Sequence, residues 1–234
     1  MRYRRSKLGP FWITLSMGLM ISIMSVVFSV IFKQKISTYL PFLAVSMIIW
    51  NFFSTTILES CSCFTEAENI IKQLPVPLFV HVFRAIFRNL IVLFHNFLII
   101  PVIFLVFLKP VGFSALLFFI GILIVALNLC WIATFVAILC TRFRDLPPLF
   151  ATFLQLVFYI TPILWHPNQL SSQLSVYLVK YNPIYHLVEI IRAPLLGEEI
   201  YFYSWIVSLS FLFFGCIFSS ILLAKYRRKI PYWI

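Results

Sequence analysis

Few side chains in this sequence could carry out chemistry, and they do not form the groups that enzymes use. Asp145 is the only aspartate, so a pair of aspartates is not available for acid–base work or for holding a metal. No G-x-x-x-x-G-K-[S/T] loop is present to bind the phosphates of ATP, and neither H-E-x-x-H nor G-x-S-x-G occurs. We therefore predict that the chain is not an enzyme and holds no cofactor and no metal of its own.

One pair of charged residues has the spacing of a direct interaction. Glu189 and Arg192 are three residues apart, which predicts an ion pair on one helix face. The pair has either a structural role or a role in contacting a substrate. No charged residue lies in the middle of the long uncharged runs, although ion-coupled transporters usually carry such groups along their path. His95 is the one histidine candidate there, and a packing role is the simpler explanation.

The composition predicts an integral membrane protein. The chain has 234 residues, of which 62% are hydrophobic and 11% are charged, and its mean hydropathy is +1.03. Soluble domains contain roughly 45–50% apolar and about 25% charged residues. The net charge of +11 comes from Lys and Arg in short breaks between apolar runs. Such clusters orient membrane helices, so nucleic acid is not a predicted partner and membrane lipid is.

Six uncharged runs are each long enough to cross a membrane, because about 20 apolar residues in a helix span a 30 Å hydrocarbon core. Thirteen of the 18 Lys and Arg residues lie on the side that holds both termini, and the positive-inside rule places that side in the cytoplasm. We predict an all-α integral membrane protein with one transmembrane domain over residues 1–234. The predicted spans are 11–32, 36–58, 80–108, 113–140, 146–164 and 201–224.

The cytoplasmic stretch between spans two and three contains a predicted short helix over residues 65–74. Thr65 and Glu68 have the spacing of a capping box, in which their side chains bond to free backbone N–H groups at the start of the helix. Pro75 and Pro77 are expected to end it. Exposed charges on this helix favour a docking element for a partner protein. An ordinary connecting loop is the alternative.

The segment between spans five and six contains an irregular region at membrane depth. The uncharged run from residue 146 is 34 residues long, which is too long for one crossing, and Pro162 and Pro167 interrupt it. Irregular backbone is tolerated at this depth where it is buried in protein or lines a cavity. We predict a bend near Thr161 and Pro162, after which residues 165–197 dip back into the outer leaflet as a re-entrant gate. A hydrophobic cap without a pore is the alternative.

Three regions, in this order and spacing, give the chain a specific resemblance. They are RYRRSKLGPFW at 2–12, RFRDLPP at 142–148 followed by YITPILW at 159–165, and YNPIYHLVEIIRAPLLG at 181–197. Over nearly its whole length the chain resembles the permease subunits of type-2 ABC exporters that move polysaccharides. The resemblance is closest to O-antigen (lipopolysaccharide) export permeases, with capsule and teichoic-acid exporters next.

The resemblance implies a homodimer of six-helix subunits that works with two copies of a cytoplasmic ATP-binding subunit, which would bind ATP and Mg²⁺. Undecaprenyl-linked polysaccharide would pass between the two permeases across the bacterial inner membrane. The helix at 65–74 matches the coupling helix of the family, and residues 162–197 match its outer gate. Family members usually carry a longer amphipathic helix before the RYR stretch. Either the start of this chain is misplaced or truncated, which we expect, or the docking surface for the ATPase is reduced.

The residues expected to couple ATP hydrolysis to transport lie on the short helix and at the start of span five. Asp145 is also well placed to cap the first free N–H groups of span five, which would be a sufficient role for it. The expected coupling residues are Thr65, Glu66, Glu68, Asn69, Lys72, Arg144 and Asp145.

The residues expected to form the gate and the glycan path are mainly aromatic. Sugar rings stack on aromatic side chains, and Tyr and Trp add a polar atom. Helix packing explains Trp50 and Trp131 at least as well. We also expect Arg192→Ala to stop export while leaving the amount of protein in the membrane normal. The expected path residues are Tyr159, Pro162, Trp165, Glu189, Arg192, Trp50 and Trp131.

The basic N-terminus faces the anionic lipid of the inner leaflet. Arg4 and Arg5 are expected to receive the pyrophosphate of the lipid-linked glycan, and simple anchoring explains them equally well. A membrane enzyme acting on lipid-linked sugars would need a polar active site near one surface, which the sequence lacks. A non-transporting scaffold is the remaining alternative, although it would not need the Pro-rich re-entrant segment.

Overall fold

The computed structural model describes residues 11–74, 76–110, 112–167 and 177–234, and the regular structure in these ranges is entirely helical, as predicted. Besides one helical turn at 177–180, the helices are α1 (Phe11–Ile31), α2 (Ile36–Ser60), α3 (Glu68–Gln73), α4 (Phe79–Phe97), α5 (Ile99–Val106), a 3₁₀ helix (Phe113–Leu116), α6 (Leu117–Arg142), α7 (Leu146–Ile160), α8 (Pro183–Leu196), α9 (Phe202–Tyr226) and α10 (Ile230–Trp233).

Five helical segments of the described chain are long and apolar enough to cross a membrane. They are α1, α2, the α4–α5 unit, the 3₁₀ helix continued by α6, and α9. The apolar helix α7 has 15 residues, which at a rise of 1.5 Å per residue is about 22 Å, shorter than a hydrocarbon core of about 30 Å. The chain is therefore a multi-pass membrane protein. A sixth crossing, which would need residues beyond α7, stays a prediction.

Helix α2 forms the centre of the bundle and contacts α1, α4, α6, α7 and α8. Three of its buried polar side chains donate to carbonyl groups of the same helix. Ser46, Thr56 and Ser60 each donate a hydrogen bond to the carbonyl four residues earlier, at 2.8, 2.7 and 2.6 Å. Because an unpartnered polar group is costly in apolar surroundings, these bonds allow α2 to be buried on nearly all sides.

Close contacts at two glycines hold α6 between α8 and α9. A Cβ atom at Gly215 of α9 would lie 2.1 Å from the indole ring of Trp131 on α6. A Cβ atom at Gly121 of α6 would lie 2.7 Å from the carbonyl oxygen of Ile190 on α8. Small residues permit this close approach, which is a common way to pack membrane helices.

The chain leaves helical geometry directly after α7. Thr161 is extended, with φ −79° and ψ 137°, which is the conformation preferred before a proline, so the predicted bend near Thr161 and Pro162 is present. The longest helix of the predicted gate is α8. Ten of its residues, Tyr185 to Pro194, are buried. Residues 168–176 of the predicted gate lie outside the described residues, and re-entry into the membrane stays a prediction.

Candidate functional site

Arg192 on α8 is the centre of a buried polar network. Its side chain is 1% exposed. Its Nε donates to the Oε2 of Glu189 at 3.0 Å, and its Nη2 forms an ion pair with the same carboxylate. Its Nη1 donates to the Oγ of Ser46 on α2, at 3.1 Å, and to the carbonyl oxygen of Pro162 in the break after α7, at 2.8 Å. The predicted pairing of Glu189 with Arg192 is confirmed, and the pair also joins three parts of the chain.

Aromatic rings complete the surroundings of Arg192. The guanidinium carbon lies 4.4 Å from the ring centre of Phe42 and 5.8 Å from that of Tyr185, distances at which a cation is attracted to a ring face. The His166 ring stacks on Phe42 with 3.6 Å between ring centres. We use the name Arg192 network for Arg192, Glu189, Ser46, Phe42 and the Pro162 carbonyl.

Two further contacts hold the irregular segment between α7 and α8. The Nδ2 of Asn182 donates to the Oγ1 of Thr161 at 2.9 Å, and its Oδ1 caps α8 by accepting the N–H groups of Ile184 and Tyr185. The hydroxyl of Tyr39 on α2 donates to the carbonyl oxygen of Leu164 at 2.5 Å. The break therefore has partners on both α2 and α8, as irregular backbone in apolar surroundings requires.

The four predicted path aromatics differ in their surroundings. Tyr159 is 59% exposed at the end of α7, and the Nε1 of Trp165 donates to its carbonyl oxygen at 3.1 Å. Trp50 is buried against Phe158, with 5.6 Å between ring centres. The Nε1 of Trp131 donates to the Oδ1 of Asn128 in the α6–α9 contact. Trp50 and Trp131 thus make helix-packing contacts, whereas Tyr159 and Trp165 stand beside the break.

At the other end of α2, the predicted coupling helix is α3, which begins at Glu68. The predicted capping box is wrong, because the Oγ1 of Thr65 donates to the carbonyl oxygen of Ser62 at 2.9 Å and no side chain caps α3. Ser62 also donates to the carboxylate of Glu66 at 2.7 Å. The turn after α2 therefore uses the side chains of residues 62–66, and the N-cap position falls on Ala67.

Helix α3 has no buried residue, and its charges pair on its surface. The Nζ of Lys72 lies 2.6 Å from the carboxylate of Glu68, and this contact, aided by the charge of Arg144, holds the pKa of Glu68 below its usual value. Asn69 is exposed on the same helix. An exposed ion pair adds little stability, so these charges are free to serve recognition of a partner.

The start of α7 differs from the prediction at Asp145. Asp145 occupies the N-cap position, but its side chain accepts no hydrogen bond from the helix, and its φ of −89° and ψ of −5° are helical rather than extended. A capping side chain normally needs an extended residue to reach back to the free N–H groups. The predicted capping role is therefore wrong, while Asp145 and Arg144 are both exposed at the start of α7.

Helix α10 packs against α3. Ile230 is fully buried, and Trp233 lies beneath the guanidinium of Arg142, 5.4 Å from its ring centre. The Nζ of Lys72 also donates to the carbonyl oxygen of Ile234 at 3.2 Å. Arg4 and Arg5, the predicted pyrophosphate contacts, lie outside the described residues.

Sequence reasoning missed a polar contact between the end of α2 and α4. Glu59, at the end of α2, lies 2.7 Å from the guanidinium of Arg88 on α4, and it accepts a hydrogen bond from Asn89 at 2.6 Å. These residues are about 30 apart in sequence, so helical spacing gave no signal. Ser46 and Phe42 were missed for the same reason, since their partner Arg192 is on another helix. Asn182 was also missed, although an Asn directly before a proline is a local signal for the start of a helix.

Comparison with known proteins identifies the family. The family model for ABC-2 type transporters matches residues 1–196. The chain is 27% identical over 192 residues to an O-antigen export system permease protein RfbA of Klebsiella pneumoniae, covering 80% of this chain and 72% of that protein. It is 25% identical over 176 residues to the RfbA permease of Myxococcus xanthus, covering 74% of this chain and 66% of that protein. The chain therefore belongs to the ABC-2 type transporter family, as its resemblance to the polysaccharide export permeases predicted.

Proposed function

We propose that this chain is the transmembrane subunit of an ATP-driven exporter that moves undecaprenyl-linked polysaccharide, most specifically O-antigen, across the bacterial inner membrane. The observation that carries the proposal is the match of 80% of the chain to relatives named as O-antigen export permeases. Export of O-antigen would make the chain part of lipopolysaccharide biosynthesis. Capsule and teichoic acid are the alternative cargoes.

The proposed partner is a cytoplasmic ATP-binding subunit in two copies, which binds ATP and Mg²⁺ and acts on a homodimer of this chain. Helix α3 suits this docking because all its side chains are at least partly exposed. Its Glu68–Lys72 pair offers charges of both signs. Arg144, directly before α7, is close enough to α3 for its charge to act on Glu68, and Asp145 follows it at the start of α7. A displacement of α3 would therefore act on the start of α7 through Arg144.

Helix α7 supplies a path from the coupling end to the gate. It begins after Asp145 and ends beside Thr161, about 22 Å away along the helix axis. Its end connects directly to Pro162, whose carbonyl bonds to Arg192. A shift of α7 would therefore act on α8 through the Arg192 network. Tyr159 and Trp165, at the same end, would be the aromatic residues nearest to the moving glycan.

The proposal is tested by purifying the tagged chain from its native membranes and identifying what accompanies it. Co-purification of a protein with a P-loop ATPase domain, with ATPase activity in the complex, is expected. A Glu68→Lys/Lys72→Glu exchange tests whether the ATPase contacts α3 directly. It keeps the ion pair but reverses the positions of its charges, so it is expected to lower co-purification if the partner contacts these side chains. The proposal fails if a gently solubilised, monodisperse sample brings down no ATPase.

A further inference from the structure

The end of the molecule at which α2 and α9 begin contains a cavity of about 750 Å³. It lies between α8, the first turn of α9 and the start of α2, within one protomer. The volume falls in the range of roughly 300–1,000 Å³ that is typical of small-molecule sites. On the predicted topology this end faces away from the cytoplasm.

Aromatic side chains form one part of the cavity wall. Tyr185, Tyr201 and Tyr203 all line it, and Tyr201 and Tyr203 are 57% and 48% exposed. Tyr203 is held in place by an edge-to-face contact with His186, with 5.4 Å between ring centres. Exposed tyrosine rings offer an apolar face and a hydroxyl group, which suits the C–H face and the hydroxyl groups of a sugar.

Carboxylates and one ammonium group form another part of the wall. Glu198, Glu199 and Lys180 line the cavity, and none of them forms an ion pair with another residue of the described chain. The charges of Glu189 and Arg192, which also border the cavity, neutralise each other. Among the lining residues, the unpaired groups are two carboxylates and one ammonium, and the positive charge of Lys109 beside the cavity also acts on Glu198. The carboxylates favour a ligand that donates hydrogen bonds over one that carries a phosphate.

Hydrogen bonds hold the segments that form the wall. Gly197 ends α8 with a φ of 71°, and the N–H of Glu198 bonds to the carbonyl oxygen of Ala193 at 2.9 Å. The two ring nitrogens of His186 lie 3.0 Å from the Oγ of Ser204 and 3.1 Å from the carbonyl oxygen of Lys180. These bonds connect the three segments that carry the lining residues, so binding would order few groups.

We propose that this cavity is a binding site for one neutral sugar unit, with Tyr201 and Tyr203 stacking on the ring and Glu198 and Glu199 accepting its hydroxyl groups. The proposal rests on the proposed function for the glycan nature of the cargo, and it adds a site inside each protomer as well as a preference for uncharged sugars. Such a site would hold an emerging glycan at the exit, and it distinguishes a neutral O-antigen from a phosphate-linked polymer.

The test is saturation-transfer NMR on the purified full-length permease with small probes. The probes are the methyl glycosides of mannose, galactose and N-acetylglucosamine, with glycerol 3-phosphate as the anionic probe. At least one glycoside is expected to bind saturably, and glycerol 3-phosphate is expected not to compete. Tyr203→Ala and Glu199→Gln are each expected to weaken glycoside binding by about tenfold.

The matched control is Tyr181→Ala, because Tyr181 is 69% exposed at the same end and does not line the cavity. It should bind like the wild type. The proposal is overturned if no glycoside binds, if Tyr203→Ala and Glu199→Gln bind like Tyr181→Ala, or if glycerol 3-phosphate binds equally well. Sugar binding is measured on the permease alone, so its absence alongside a co-purifying ATPase would overturn the site and leave the exporter proposal standing.

Discussion

Replacing Arg192 by Ala removes the centre of the Arg192 network and leaves the carboxylate of Glu189 buried without a cation. Arg192 is 1% exposed, and it donates to Glu189, to the Oγ of Ser46 and to the carbonyl oxygen of Pro162. Breaking a buried ion pair on one side costs about 3–5 kcal/mol. For a chain of this size that lowers the melting temperature by on the order of 10 °C.

The assay is thermal melting of the detergent-solubilised protein, followed by size-exclusion chromatography. Arg88→Ala is the matched control, because Arg88 forms an ion pair with Glu59 in which the two side chains are 60% and 35% exposed. Such an exposed pair contributes about 0–1 kcal/mol to stability. The double variant Glu189→Gln/Arg192→Met removes both charges at similar volume, and it should recover most of the lost stability. The reasoning is refuted if Arg192→Ala melts like Arg88→Ala, or if the double variant is no more stable than the single one.

The burial of Arg192 also changes one expectation from the sequence. Arg192→Ala was expected to stop export at a normal membrane level, but the burial of Arg192 predicts a loss of stability and hence of abundance. The double variant is therefore the better probe of function. If the Arg192 network transmits motion to the gate, the double variant should reach normal abundance and still export less than the wild type.

Three other substitutions test separate parts of the account. Gly215→Ala should lower stability by about 1–3 kcal/mol, since the new Cβ would overlap the Trp131 ring, and the same substitution should cost less in a Trp131→Ala background; an equal loss in both backgrounds would contradict this. Asn182→Ala should cost about 1–2 kcal/mol by removing the cap of α8, and unchanged melting would argue against that contact. Lys72→Glu and the exchange Glu68→Lys/Lys72→Glu should both reduce co-purification of the ATPase while melting like the wild type, because each changes the charges that α3 presents; full co-purification with the exchange variant would contradict a direct role of these charges in docking.

Sequence patterns predicted the features that depend on local composition. Hydropathy located five of the long apolar helices, because the requirement for about 20 apolar residues is a property of each segment by itself. The break after α7 was predicted from Pro162, since proline restricts the residue before it. The Glu189–Arg192 pair was predicted from its spacing on one helix. Each of these inferences uses residues that are neighbours in the chain.

Features that depend on contacts between helices were not predicted. Ser46 and Phe42, two partners of Arg192, are about 150 residues away from it in sequence. The Glu59–Arg88 pair also joins two helices. The capping box failed for a related reason. Thr65 and Glu68 have the right spacing, but the Thr65 hydroxyl already bonds to the turn that follows α2, and the sequence does not say which of two local hydrogen bonds a side chain makes.

The most direct test of the exporter proposal is to measure lipid-linked polysaccharide on both faces of the inner membrane in cells that lack this chain. The proposal predicts that surface polysaccharide is lost, that undecaprenyl-linked glycan accumulates on the cytoplasmic face, and that the wild-type chain restores export. Unchanged surface polysaccharide, or its loss without accumulation on the cytoplasmic face, would contradict a role in translocation.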